Sequence, residues 1–128
     1  MEKEIIHVEP FATAYARVPT SPVVKGNGFV FVSGMVPVNP ENGEFLRDGD
    51  IEEQVRYCLE SIKALLEGAG SSLDKVVKTT VFLSDMKHFA TMNQVYAQYF
   101  PSGPPARTTV GVALVGGFDV EIECTALA

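Results

Sequence analysis

The run 76–83, Val-Val-Lys-Thr-Thr-Val-Phe-Leu, is rich in β-branched residues and carries an amphipathic helical pattern on each side. Before it, over 50–68, Ile51, Val55, Cys58, Leu59, Ile62, Leu65 and Leu66 recur at helical spacing. Asp50 with Glu53 three residues on reads as a capping box, and Gly68 and Gly70 supply a stop. After it, Ser84 or Asp85 opens a second helix with Phe89, Met92, Tyr96 and Phe100 on one face. The segment Pro101-Ser-Gly-Pro-Pro105 ends that helix. A strand held between two helices restricts the chain to crossover connections, with both helices on one face of a sheet.

The remaining strands follow from alternation and breakers. Residues 4–8 form a short first strand, and a polar, Pro-containing stretch runs through Pro19 and Pro22. Residues 29–36 are apolar on both faces and are interrupted by Ser33-Gly34, a pattern that marks a bulge or a close backbone approach. Pro40 and Asn42-Gly43 break the chain before the first helix. Residues 107–114 and 118–127 are the last strands, turned at Gly116-Gly117. In the final one Val120, Ile122, Cys124 and Ala126 alternate with Asp119, Glu121, Glu123 and Thr125. The expected class is α/β (α+β), a single domain over residues 1–128. Two helices cover one sheet face only. Self-association is the economical way to cover the other.

Composition narrows the function classes. The 128 residues are 46 % apolar and carry a net charge of −6, so non-specific binding to phosphate backbones is disfavoured. Cys58 and Cys124 make no ligand spacing and read as buried thiols in a reducing compartment. Met1-Glu2-Lys3-Glu4 has no apolar leader pattern and no stretch is long enough for a membrane span, which makes the cytoplasm the expected location. No membrane partner is expected.

Few residues carry chemistry. Arg107 is the sole Lys or Arg after Lys87 and follows a rigid Pro-Pro-Ala segment. Its planar fork matches a carboxylate, although a surface arginine at a strand end is the plainer reading. Glu121 sits on the polar face of the last strand, between Asp119 and Glu123, which read as a solvated acidic edge. Burial would raise the Glu121 pKa and a nearby arginine would lower it. Gly26-Asn27-Gly28 is no dinucleotide fingerprint. His7 and His88 lack partners at ligand spacing, and Tyr96 and Tyr99 read as packing residues.

Taken in order, Phe31-Val-Ser-Gly-Met-Val-Pro-Val-Asn-Pro40, Gly43-Glu44, residues 76–82, Phe89-Ala-Thr-Met-Asn93, Pro105-Ala-Arg-Thr108 and Val120-Glu-Ile-Glu123 resemble the RidA (YjgF-type) family of enamine/imine deaminases. The resemblance covers the chain from about residue 28 onward. It implies a chorismate-mutase-like fold and a homotrimer whose three sheets pack as a central barrel, with sites between subunits. It assigns Arg107 to the substrate carboxylate and Glu121 to water and protons, and it puts Ser33, Gly34 and Asn93 in the pocket. Two positions depart from the family pattern. Thr20 stands where a pocket tyrosine is usual, and Thr109 stands where a cysteine is common, which excludes a thiol role there.

The implied activity is hydrolytic deamination of 2-enamino or 2-imino acids to 2-keto acids and ammonia. An imine carbon is already electrophilic, so no metal or cofactor is required. Thr20 points to a larger pocket and a specialised catabolic substrate, aminomuconate- or aminoacrylate-like. The rival reading is a non-catalytic trimer that binds small carboxylates. A ribonuclease or translation inhibitor ranks last for so acidic a chain.

Overall fold

The computed structural model describes residues 2–128. In chain order the elements are β1 (Glu4–Ile5), α1 (Phe11–Ala14), β2 (Val23–Gly26), β3 (Phe29–Met35), α2 (Ile51–Gly68), β4 (Val76–Leu83), α3 (Phe89–Tyr99), β5 (Ala106–Gly111) and β6 (Val120–Leu127). The strands form one mixed sheet in the order β1-β2-β3-β6-β4-β5. β6 runs antiparallel between β3 and β4, and β4 pairs in parallel with β5. The fold is therefore the α+β arrangement expected from the pattern around β4.

The helices lie on one face because the apolar alternation lets them. Val30, Val32 and Met35 of β3, Val81 and Leu83 of β4, and Val120, Ile122, Cys124 and Ala126 of β6 are buried. They pack with Val55, Leu59, Ile62, Leu65 and Leu66 of α2 and Met92 and Val95 of α3. Asp50 caps α2 by accepting from the Glu53 N–H at 2.9 Å, as its sequence pattern implies. Cys58 Sγ donates to the Met35 carbonyl at 3.2 Å and Ser61 Oγ to the Val38 carbonyl at 2.7 Å, which pins α2 to the end of β3. Both cysteines are buried free thiols, and burial pushes Cys124 up to about 12. The opposite sheet face is open: Phe31, Val110 and Leu127 are exposed there.

Some boundaries differ from the sequence reading. β1 stops at Ile5 rather than at residue 8, and the stretch toward Pro19 contains α1. β2 was not legible. It pairs with β3 through Asn27-Gly28, whose φ angles of 52° and 84° give a tight two-residue hairpin. Glycine-flanked Asn27 is thus a turn, consistent with its rejection as a nucleotide motif. Asp85 accepts from the Lys87 N–H at 2.8 Å and starts a 3₁₀ turn over Met86–His88, so α3 itself begins at Phe89. β5 ends at Gly111 and β6 begins at Val120, each shorter than the alternation suggested.

Candidate functional site

β3 shifts register between Val32 and Met35, which lie opposite Cys124 and Ile122. One extra residue is inserted, so Ser33 and Gly34 form the bulge that the interrupted run suggested. Its effect is local and chemical. A methyl group on Gly34 would come within 2.9 Å of the Glu121 carboxyl carbon and nearer still to Oε2. Only a glycine leaves that space, so the bulge seats the Glu121 carboxylate against the backbone of β3.

Around this carboxylate lies a cavity of about 470 Å³. Thr20, Ser33, Gly34 and Glu121 line it, together with Tyr15, Phe45, Arg47 and Phe118. Ser33 Oγ donates to the Ser21 carbonyl at 2.6 Å and lies 3.2 Å from Thr20 Oγ1. Burial raises the Glu121 pKa, and the neighbouring Glu123 charge raises it further. The Tyr15 hydroxyl is buried without a hydrogen-bond partner. Burial pushes it up to about 12, against the opposing pull of the adjacent Val36 backbone.

Arg107 is elsewhere. It lies opposite Thr79 in the β4–β5 pairing, whereas Glu121 lies opposite Phe82 in the β4–β6 pairing. Facing residues share a side and successive residues alternate, so Arg107 and Glu121 project from opposite faces of the sheet. Arg107 stands on the helix side, its guanidinium 4.9 Å from the Tyr96 ring centre and 5.7 Å from that of Phe89. Met92 Sδ is 3.8 Å away. Tyr96 is itself fixed by a 2.7 Å bond between its hydroxyl and Thr79 Oγ1. Among the described residues no carboxylate pairs with Arg107, so its fork is held in place by soft aromatic and sulfur contacts with its charge unspent. Asn93 and Arg107 line a second cavity of about 330 Å³, and the buried Asn93 Oδ1 has no partner. Thr109, two residues beyond Arg107 on β5, shares its face.

The residues singled out from sequence therefore fall into two groups: Thr20, Ser33, Gly34 and Glu121 in one, Asn93, Arg107 and Thr109 in the other. The chain brings each group together and keeps the groups apart. Each also contains a buried polar atom left without a partner, a state that is costly unless something supplies one. Tyr15 and Arg47 were not legible as site residues, because both are brought in by irregular segments with no periodic signal. The reading of Asp119 as a solvated acid is corrected. Ser84 Oγ donates to it at 2.7 Å and Gln54 Nε2 at 3.1 Å, while its own N–H donates to Gln54 Oε1 at 2.9 Å. The Ser84 bond, chiefly, holds its carboxyl below the ordinary range. Glu123 is exposed, as expected.

A mixed sheet covered by helices on one side is the architecture of the YjgF/L-PSP family structures. The chain belongs to the YjgF/RidA family: the family model described as endoribonuclease L-PSP matches residues 11–128. A RutC family protein of Pyrococcus abyssi is 45 % identical over the whole of this chain and 98 % of its own. The chloroplastic Reactive Intermediate Deaminase A of Arabidopsis thaliana is 37 % identical over 98 % of this chain and 66 % of its own. Among solved structures, yeast Mmf1 superposes with a TM-score of 0.85 at 37 % identity, covering 98 % of each chain. Escherichia coli TdcF with bound serine gives 0.79 at 38 % identity, covering 86 % of this chain and 88 % of its own. No helix among the described residues is long and apolar enough to cross a membrane.

Proposed function

We propose that the protein is a homotrimeric, cofactor-independent deaminase of 2-imino and 2-enamino carboxylic acids, with each site built from the Glu121 cavity of one copy and the Arg107 face of the next. The observation that carries this reading is the placement of Arg107 and Glu121 on opposite sheet faces, with neither in an ion pair among the described residues. The open face bearing Phe31, Val110 and Leu127 is the surface through which three such chains would associate, each as a single domain. Serine bound to E. coli TdcF shows that a relative holds an amino acid, a carboxylate-bearing ligand.

In this arrangement Arg107 grips the substrate carboxylate with two parallel hydrogen bonds and orients C2. Glu121 takes a proton from water as the hydroxyl adds to the carbon of the protonated imine, giving a neutral carbinolamine. It then gives that proton to the carbinolamine nitrogen, and as the C–N bond breaks the hydroxyl group returns its own proton to the carboxylate, so that ammonia leaves a 2-keto acid. In the single chain, burial and the Glu123 charge raise the Glu121 pKa, which favours a carboxyl that both takes up and returns a proton. An enamine enters the same path after protonation at C3. Thr20 in place of a larger side chain leaves room beside Ser33 for substrates longer than three carbons.

The test couples an amino-acid oxidase to keto-acid detection. Arg107→Ala is expected to abolish the acceleration, and Glu121→Gln to reduce it by about a hundredfold or more. Undiminished acceleration in Arg107→Ala sinks the assignment. A wild-type protein that binds keto acids but accelerates nothing would instead leave a carboxylate-binding trimer.

A further inference from the structure

The Glu121 cavity contains a charge that the deamination of a simple imino acid leaves unused. Arg47 lines it, on the segment between β3 and α2. Its guanidinium carbon lies 5.2 Å from the Phe118 ring centre and 5.8 Å from that of Phe45. Among the described residues its one hydrogen bond is a long 3.5 Å contact from a guanidinium nitrogen to the Gly116 carbonyl. Among the described residues no carboxylate pairs with it. The two aromatic rings belong to the cavity wall, so the stacking that holds the guanidinium also sets it at the cavity boundary. The rest of that wall is largely apolar, with Ala14, Val18, Val36 and Val115.

The Arg47 fork thus borders the cavity with little to bind. The Glu121 carboxylate of the same cavity lies against the β3 bulge, and among the described residues it makes no ion pair with Arg47. In a chain of net charge −6, an unpaired cation facing a mostly apolar wall selects for an anionic group on what enters. We propose that Arg47 is a specificity-determining residue that holds a second carboxylate of the substrate, so that the preferred substrates are dicarboxylic 2-imino or 2-enamino acids. This rests on the reading of Arg107 as the anchor of the first carboxylate. The substrate then spans the composite site, with one acid group on Arg107 of one copy, the reacting C2 beside Glu121 of the other, and the distal acid group on Arg47.

Binding of stable product analogues separates the two claims. The assembled protein is titrated calorimetrically with 2-oxoglutarate and with 2-oxobutyrate, for wild type, Arg47→Gln and Arg107→Ala, with assembly size checked for each. Wild type is expected to favour the diacid by roughly tenfold or more, the scale of a charge-assisted hydrogen bond. Arg47→Gln is expected to abolish that preference, and Arg107→Ala to weaken both ligands. Equal preference in wild type and Arg47→Gln overturns the role of Arg47 and leaves Arg107 as the anchor. Unchanged binding of both acids to Arg107→Ala removes the anchor and the proposal with it. A changed assembly size in Arg47→Gln would make the guanidinium an interface contact and equally overturn the proposal.

Discussion

Gly34 and Glu121 show how a missing side chain sets the chemistry of one that is present. The carboxylate occupies the space a β-carbon would take on the bulge. Gly34→Ala should push the carboxyl aside at small cost to the fold, since the displaced group ends a flexible side chain. Its stability, read by chemical denaturation, should fall by less than about 1 kcal/mol. Deamination should fall by about a hundredfold, the usual effect of an ångström-scale misplacement of a reacting group. The same carboxyl makes stability depend on pH. Its native pKa is raised, by burial first and by Glu123 second, so ionisation is harder in the fold than in the unfolded chain. The stability it contributes is fully present below the unfolded carboxyl pKa, about 4.3, and is lost as pH rises through the native value. Glu121→Gln cannot ionise. It should melt higher than wild type at pH 7 to 8 and coincide with it near pH 4, as thermal scans across pH would show.

At the scale of elements, Asp119 joins three of them. It precedes β6, accepts from Ser84 just after β4, and exchanges hydrogen bonds with Gln54 of α2. Asp119→Ala should cost about 1 kcal/mol at neutral pH, measured by denaturation. The native pKa is lowered, so the ionic part of that contribution is complete above the ordinary carboxylate range. It is lost as pH falls through the depressed value, and the gap between variant and wild type should narrow in acid. Most of the architecture was legible at this scale. Asp50 to Gly68 carries helical periodicity, a cap and a stop, and Val76–Leu83 is a β-branched run with breakers near both ends. β2 escaped because Val23–Gly26 is short and gains its stability from pairing across Asn27-Gly28 rather than from its own pattern. The linked role of Asp119 escaped for a related reason, since its partners Gln54 and Ser84 are distant in sequence. Arg107 and Glu121 stood out through motif order. Their separation by the sheet was hidden, because it depends on the register of β4 with both its neighbours.

At the scale of the whole molecule, the division of the site between faces yields a test independent of any substrate preference. Alone, Arg107→Ala should be inactive and Glu121→Gln should keep about a hundredth of the activity or less. Co-refolded in equal amounts, they should recover about a quarter of the wild-type sites, namely those where an intact Glu121 cavity meets an intact Arg107 face. A site contained within one chain would recover nothing, so keto-acid production by the mixture, measured against each variant alone, decides the matter. Recovery would mean that the open face with Phe31, Val110 and Leu127 serves both association and catalysis.

Sheet register also bears on inheritance. Because Arg107 and Glu121 leave β5 and β6 on opposite sides, every chain would serve two different sites, one through each face. A copy defective at both residues but still able to assemble would silence both sites it borders, including the half contributed by each healthy neighbour. Such an allele would act as a poison in a mixed population of chains, with more activity lost than its share of the protein.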